Sequence, residues 1–175
     1  MKVRELFEGF NTLKTGLTLY SIDLKNEYPD KDYSDIKLVN FTCHSTWLYV
    51  LKNCPINVDG NYEINYTSVR ELSDRPKHVG GYFDCSDTKI SSLKGVGTEY
   101  LEFIGKECML SKNISSHILG LLKVKGLKEV ETSNLKLGTD LRQAVEIINK
   151  HLGFRNINKC KSELKDVGLE EYAQL

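Results

Sequence analysis

The sequence has no surplus of charge of either sign. Lysine and arginine number 24, and so do aspartate and glutamate, in 175 residues. It therefore lacks the basic excess with which nucleic-acid-binding proteins neutralise phosphates. No apolar run approaches the roughly 18 residues of a membrane span, and the N-terminus has no apolar core of the secretory type. These absences predict a soluble protein made in a cytoplasm, with neither nucleic acid nor membrane as partner. The five cysteines are an odd number without a CxxC pair, which argues against a disulfide framework. His78, His117 and His151 show no metal-ligand spacing, and neither a P-loop nor a dinucleotide-binding glycine pattern occurs. No metal and no cofactor are expected, and the sequons at Asn40, Asn65 and Asn113 would matter only in a secreted chain.

What the chain does have is a repeat. Phe83-x-Cys85-x-x-Thr88-x-Ile90-x-x-Leu93 is preceded, 21 residues earlier, by Tyr62-x-Ile64-x-x-Thr67-x-Val69-x-x-Leu72. A further step back gives Phe41-x-Cys43-x-x-Thr46-x-Leu48-x-x-Leu51. Pro55 and Pro76 open copies at one phase, and Gly60 and Gly81 precede the strands. Two looser copies follow, Leu101-x-Phe103-x-x-Lys106-x-Cys108 and then a segment centred on Val130-x-Thr132, so that the interval shortens to 18 and expands to 29. The expansion, 113–126, predicts a convex-side helix capped by Asn113 or Ser115, with Ile118, Leu119, Leu121 and Leu122 on its apolar face.

This pattern resembles the leucine-rich repeat, whose L-x-L-x-x-N-x-L core recurs every 20–29 residues, with threonine in place of asparagine in the three regular copies. The resemblance implies an α/β fold. Its core would be a short leucine-rich-repeat-like solenoid over 36–137, with one parallel strand per repeat and few convex helices. An N-terminal cap would occupy 9–35 and a helical C-terminal cap 138–175. In that last segment Thr139 or Asp140 starts a helix with Leu141, Ala144, Val145, Ile148 and Leu152 on one stripe, ending at Gly153. A second helix is predicted from about Asn156 to Val167, followed by a short final turn.

Strand alternation sends Phe41, Cys43, Tyr62, Ile64, Phe83, Cys85, Leu101, Phe103, Val130 and Thr132 inward. The residues between them, Thr42, Glu63, Asp84, Glu102 and Glu131, would line a concave strip flanked by Asn40, His44, Asn61, Asn65, Tyr82, Ser86 and Tyr100. Such carboxylates have two readings. They keep an open sheet face from pairing with other chains, or, with the tyrosines, they bind a protein partner whose surface is basic. Cys43 and His44 point to opposite faces and form no dyad, so no catalytic residue is assigned. An enzyme with its site around Cys108, His117 or His151 remains an alternative without a stated mechanism.

The first ten residues, MKVRELFEGF, contain Leu6-Phe7-Glu8-Gly9. This segment resembles the capsid-targeting peptides of internal head proteins of T-even-type bacteriophages, which a prohead protease cuts after Leu or Ile, any residue, then Glu. An ordinary amphipathic first helix is the competing reading. The degenerate repeats and helical tail likewise resemble uncharacterised proteins of such tailed phages. The resemblance implies a cleavable segment at 1–8, cut between Glu8 and Gly9. It also implies residence in the virion head before injection, and action in the host cytoplasm on a defence or regulatory protein. A structural internal virion protein is the alternative within that setting.

Overall fold

The computed structural model describes residues 38–44, 48–52, 54–73, 76–132 and 139–175. The expected cleavable segment, the N-terminal cap and Thr46 lie outside the described residues. Each repeat places its strand beside that of the repeat before it. Strands β1 (Phe41–Thr42), β3 (Tyr62–Glu63), β5 (Phe83–Asp84), β7 (Glu107–Leu110) and β8 (Glu129–Thr132) form a five-stranded parallel sheet in that order. A second parallel sheet, β2 (Asn57–Val58), β4 (His78–Val79) and β6 (Phe103–Ile104), runs along another side. The architecture is a parallel-strand β-solenoid of about four turns, closed by C-terminal helices.

The interior is built from columns of like residues, because equivalent positions of successive turns stack. Phe41, Tyr62 and Phe83 form one column, with ring centroids 4.7 Å and 5.8 Å apart. Val58, Val79 and Ile104 form another, and Leu51, Leu72 and Leu93 a third, all buried. Each buried aliphatic or aromatic side chain contributes on the order of 2 kcal/mol of transfer free energy. The repeat threonines serve the turns. Thr67 Oγ1 donates to the Ile64 carbonyl at 2.7 Å, and Thr88 Oγ1 to the Cys85 carbonyl at 2.8 Å. In the fourth turn Asn113 stands at this position and donates to the Thr88 carbonyl.

The corner between the sheets is held by side-chain amides and backbone contact. Asn40 Oδ1 accepts the Asn61 amide at 2.8 Å, and Asn61 Oδ1 the Tyr82 amide at 3.3 Å. Asp59, Gly80 and Gly105 stack so closely that a Cβ on Gly80 would overlap the Asp59 carbonyl oxygen, and one on Gly105 the Gly80 carbonyl oxygen. The corner thus selects glycine because backbone approaches backbone there.

The fourth turn differs from the sequence expectation. Phe83 pairs with Cys108 and Asp84 with Met109, whereas Phe103 pairs with His78 in the second sheet, their rings stacked at 4.5 Å. Leu101 is buried, but off the five-stranded sheet, and Phe103 is only partly buried. The cause is a loop around Gly95–Tyr100, where Gly95 and Gly97 adopt φ of 89° and 76° and Val96 bridges Tyr100. This loop lengthens one turn, and the next begins later than the apolar spacing suggests.

The expected convex helix is a 3-10 helix, Ile118–Lys123, and neither Asn113 nor Ser115 caps it; its N-cap is His117, at φ 61°. Parallel bridges tie Ser116 to Ser92 and Lys125 to Phe103, pinning both ends to the preceding turn. The longer rise per residue of the 3-10 form suits a short pinned segment, and Ile118, Leu119, Leu121 and Leu122 are all buried.

Helices α1 (Asp140–Leu152) and α2 (Ile157–Asp166) pack on this 3-10 helix, and α1 also covers β8. The stripe Leu141, Ala144, Val145, Ile148 and Leu152 is buried as its spacing requires. Asn149 finishes the sheet: its Oδ1 accepts the Val130 amide and its Nδ2 donates to the Val130 carbonyl, both at 2.8 Å. Asn156 caps α2 by accepting the Lys159 amide, and Leu169, Tyr172 and Ala173 fold back into the core. Between the helices, Glu163 accepts from Lys150 Nζ at 2.6 Å and lies 2.9 Å from His151 Nε2.

Two predictions follow from this packing. Gly105→Ala should lower stability to urea by about 1–3 kcal/mol through the backbone overlap. Gly153→Ala, where an added Cβ meets nothing within 4 Å and φ is −62°, should raise it by about 0.4–1 kcal/mol. Equal effects would contradict the stacked corner. The second concerns acid. Hydrogen bonds from Lys150 and His151 hold the Glu163 carboxyl below its ordinary value of 4.5. Its contribution is therefore full above that value and is lost as pH falls through the depressed one. Urea melts should show wild type more stable than Glu163→Gln at about pH 6 and the gap narrowing as pH is lowered below about 4; a gap of unchanged size would contradict the assignment.

Candidate functional site

Alternation along the strands turns one set of side chains of the five-stranded sheet outward. Stacking then lines them up by turn, roughly 4.8 Å apart. One outward column reads Thr42, Glu63, Asp84, Met109, Glu131. The column beside it continues Asn40, Asn61 and Tyr82 with Glu107 and Glu129, which pair directly with each other. The other flank carries His44, Asn65 and Ser86.

The structure brings together most of the residues expected on this strip, in unequal settings. Glu63 is half-buried and accepts the Tyr82 hydroxyl at 2.7 Å. Burial, together with that bond, pushes the Tyr82 phenol up to about 12. Thr42 and Asp84 are 7% and 6% exposed, and Asp84 Oδ1 accepts the Ser86 amide at 2.8 Å; Asp84 therefore braces its own turn. His44 is exposed, with Nδ1 3.3 Å from the Asn65 carbonyl oxygen. Glu131 is exposed on β8.

Tyr100 and Glu102 do not belong to the strip. Tyr100 is buried beneath the inserted loop with its ring over Gly95, and burial pushes its phenol up to about 12. Glu102 lies just before β6 and sits 3.5 Å from Lys77 Nζ. Their places are taken by Glu107 and Met109, so the central column is interrupted by a methionine and is not a run of carboxylates. Glu129 was also missed. The sequence signal for this register is Cys108-x-Leu110-x-x-Asn113, which matches the repeat with asparagine at its usual place, and Gly105 in phase with Gly80. The expected processing pair, Glu8 and Gly9, lies outside the described residues.

On this sheet face the exposed carboxylates, Glu107, Glu129 and Glu131, lie on the last two strands. Among the described residues, none of Glu107, Glu129 and Glu131 has a cation within ion-pair distance. Like charges on adjacent strands repel by up to about 1 kcal/mol per pair in solvent. A corner column, Lys106 and Lys128, borders the patch and is also exposed.

The cysteines sit in the core. Cys43 is buried while its neighbour His44 is exposed, as opposite faces require. Burial pushes the Cys85 thiol up to about 12 and the Cys108 thiol well above its ordinary value, holding both protonated. His151 is buried against Glu163. His117 Nδ1 lies 3.0 Å from the hydroxyl of Ser92 and equally 3.0 Å from that of Ser116. The first distance suits a nucleophile and its base, but one ring nitrogen is divided between two hydroxyls. Among the described residues no group of three or more histidine, cysteine, aspartate or glutamate side chains is placed to hold a metal ion, and no helix is long and apolar enough to cross a membrane.

No protein-family model matches the chain, and no curated protein or solved structure does.

Proposed function

We propose that this chain is a non-enzymatic protein-binding module. It is a leucine-rich-repeat-like solenoid whose outer sheet face engages a partner with a lysine- or arginine-rich surface. The observation that carries this reading is the group Glu107, Glu129 and Glu131, exposed, adjacent and without cation partners, next to the Tyr82–Glu63 pair. Repulsion of this kind is offset when cations dock on it, and charge complementarity gives such interfaces their orientation and on-rate. Protection of an open edge accounts for the carboxylates less well, because Asn149 already occupies the Val130 backbone groups on β8.

The setting we propose follows Leu6-Phe7-Glu8-Gly9. It is a phage protein, carried in the head, trimmed after Glu8, injected, and inhibitory to a host defence or regulatory protein in the host cytoplasm. An internal virion component without a host partner is the competing role. An enzymatic reading draws on the Ser92–His117 distance alone.

The test is capture from bacterial host lysate, with identification by mass spectrometry. The full-length protein is compared with a Glu63→Lys/Glu129→Lys/Glu131→Lys variant, which spares the bracing Asp84. Wild type should retain one stoichiometric partner with a basic surface, released by about 0.5 M salt, and the variant should lose it at least tenfold. Absence of a specific partner, or equal retention by the variant, would overturn the proposal.

A further inference from the structure

Another side of the solenoid carries the opposite charge. Where the chain leaves the five-stranded sheet, Tyr49, Ser68, Arg70, Lys89 and Ser91 line an open recess of about 390 Å³, within the range of small-ligand sites. The repeat builds it. Tyr49, Arg70 and Ser91 occupy one position of three successive turns, and Ser68 and Lys89 occupy the position two residues earlier. Between the columns Val69 and Ile90 point into the core and are fully buried, and the Lys89 amide donates to the Val69 carbonyl at 2.9 Å. The backbone under the recess is therefore fixed, and the two cations stand on neighbouring turns.

Among the described residues, every polar side chain that lines the recess is a donor: a guanidinium, an ammonium and three hydroxyls. Neither Arg70 nor Lys89 has an ion-pair partner there, although Lys77, Lys112, Arg142 and Lys150 all have one. Glu71, next in sequence, accepts the Ser73 hydroxyl at 3.1 Å and is not part of the lining. Tyr49 leaves half its surface in solvent at the rim.

We propose that this recess binds a small phosphomonoester. Two cations match a phosphate dianion better than a carboxylate. The arginine fork supplies paired donors and the lysine a point charge, while the hydroxyls of Ser68 and Ser91 reach the remaining oxygens. The exposed ring of Tyr49, one turn from Arg70, offers a face for a planar organic group. The site is separate from the acidic sheet face and stands or falls independently of the partner proposed there.

Calorimetric titration of the full chain at low salt with adenosine 5′-monophosphate, ribose 5-phosphate, inorganic phosphate and adenosine tests this. The phosphomonoesters should bind and adenosine should not. Arg70→Ala and Lys89→Ala should each weaken binding about tenfold or more, with Arg70→Lys weakened less than Arg70→Ala. Tyr49→Ala should weaken adenosine 5′-monophosphate and leave ribose 5-phosphate unchanged. Inorganic phosphate binding as tightly as either ester would overturn the ester assignment. Binding of an oligonucleotide without the monoesters would overturn the small-ligand assignment. No phosphate-dependent binding, or binding indifferent to Arg70 and Lys89 in variants with wild-type circular dichroism, would overturn the site itself.

Discussion

A parallel stack of turns stands on one constraint: each turn must give its backbone hydrogen bonds to the turn beneath it, at a spacing of about 4.8 Å. Everything else in this protein is arranged around that spacing. Columns of identical character fill the interior because each position recurs at the same height. The corners admit asparagine, which reaches from one turn to the next amide, and glycine, where one backbone lies on another. An insertion is tolerated only if both of its ends return to register, which the Gly95–Tyr100 loop achieves with two residues at positive φ.

Stacking leaves open ends, and a solenoid without a cap exposes both apolar core and unpaired backbone. At the C-terminal end the two problems have separate answers. The apolar stripe of α1 and the 3-10 helix cover core, while Asn149 supplies the Val130 backbone with the partner that a further strand would have given. Arg155 donates to the Leu122 and Val124 carbonyls where the 3-10 helix ends. The helices thus substitute for a sixth strand of the sheet in chemistry as well as in shape.

The regular turns and the C-terminal helices were legible in the sequence because there local pattern and global register agree. Phe41, Tyr62 and Phe83 repeat at constant interval, and α1 carries its stripe without interruption. The second sheet was not legible: it contributes only one inward residue per turn, Val58, Val79 or Ile104, too sparse for a period to show. The fourth turn misled because Leu101 and Phe103 are apolar at the right spacing yet belong to the corner and the second sheet. That shift of register moved Tyr100 and Glu102 off the candidate face and brought Glu107 and Met109 onto it. Burial of Asp84 was hidden for a different reason, since a carboxylate that accepts a local amide looks the same in sequence as one that meets solvent.

The repeat therefore produces two polar surfaces of opposite sign on a rigid frame, and which residues share a surface is decided by register alone. Oxidative trapping of paired cysteines reads that register directly. With Cα atoms of adjacent parallel strands inside the span a disulfide can bridge, the double variant Asp84→Cys/Met109→Cys should form an intramolecular disulfide under mild oxidation while Asp84→Cys/Glu102→Cys should not. Efficient trapping of the second pair and none of the first would contradict the register, and with it the composition of the acidic face.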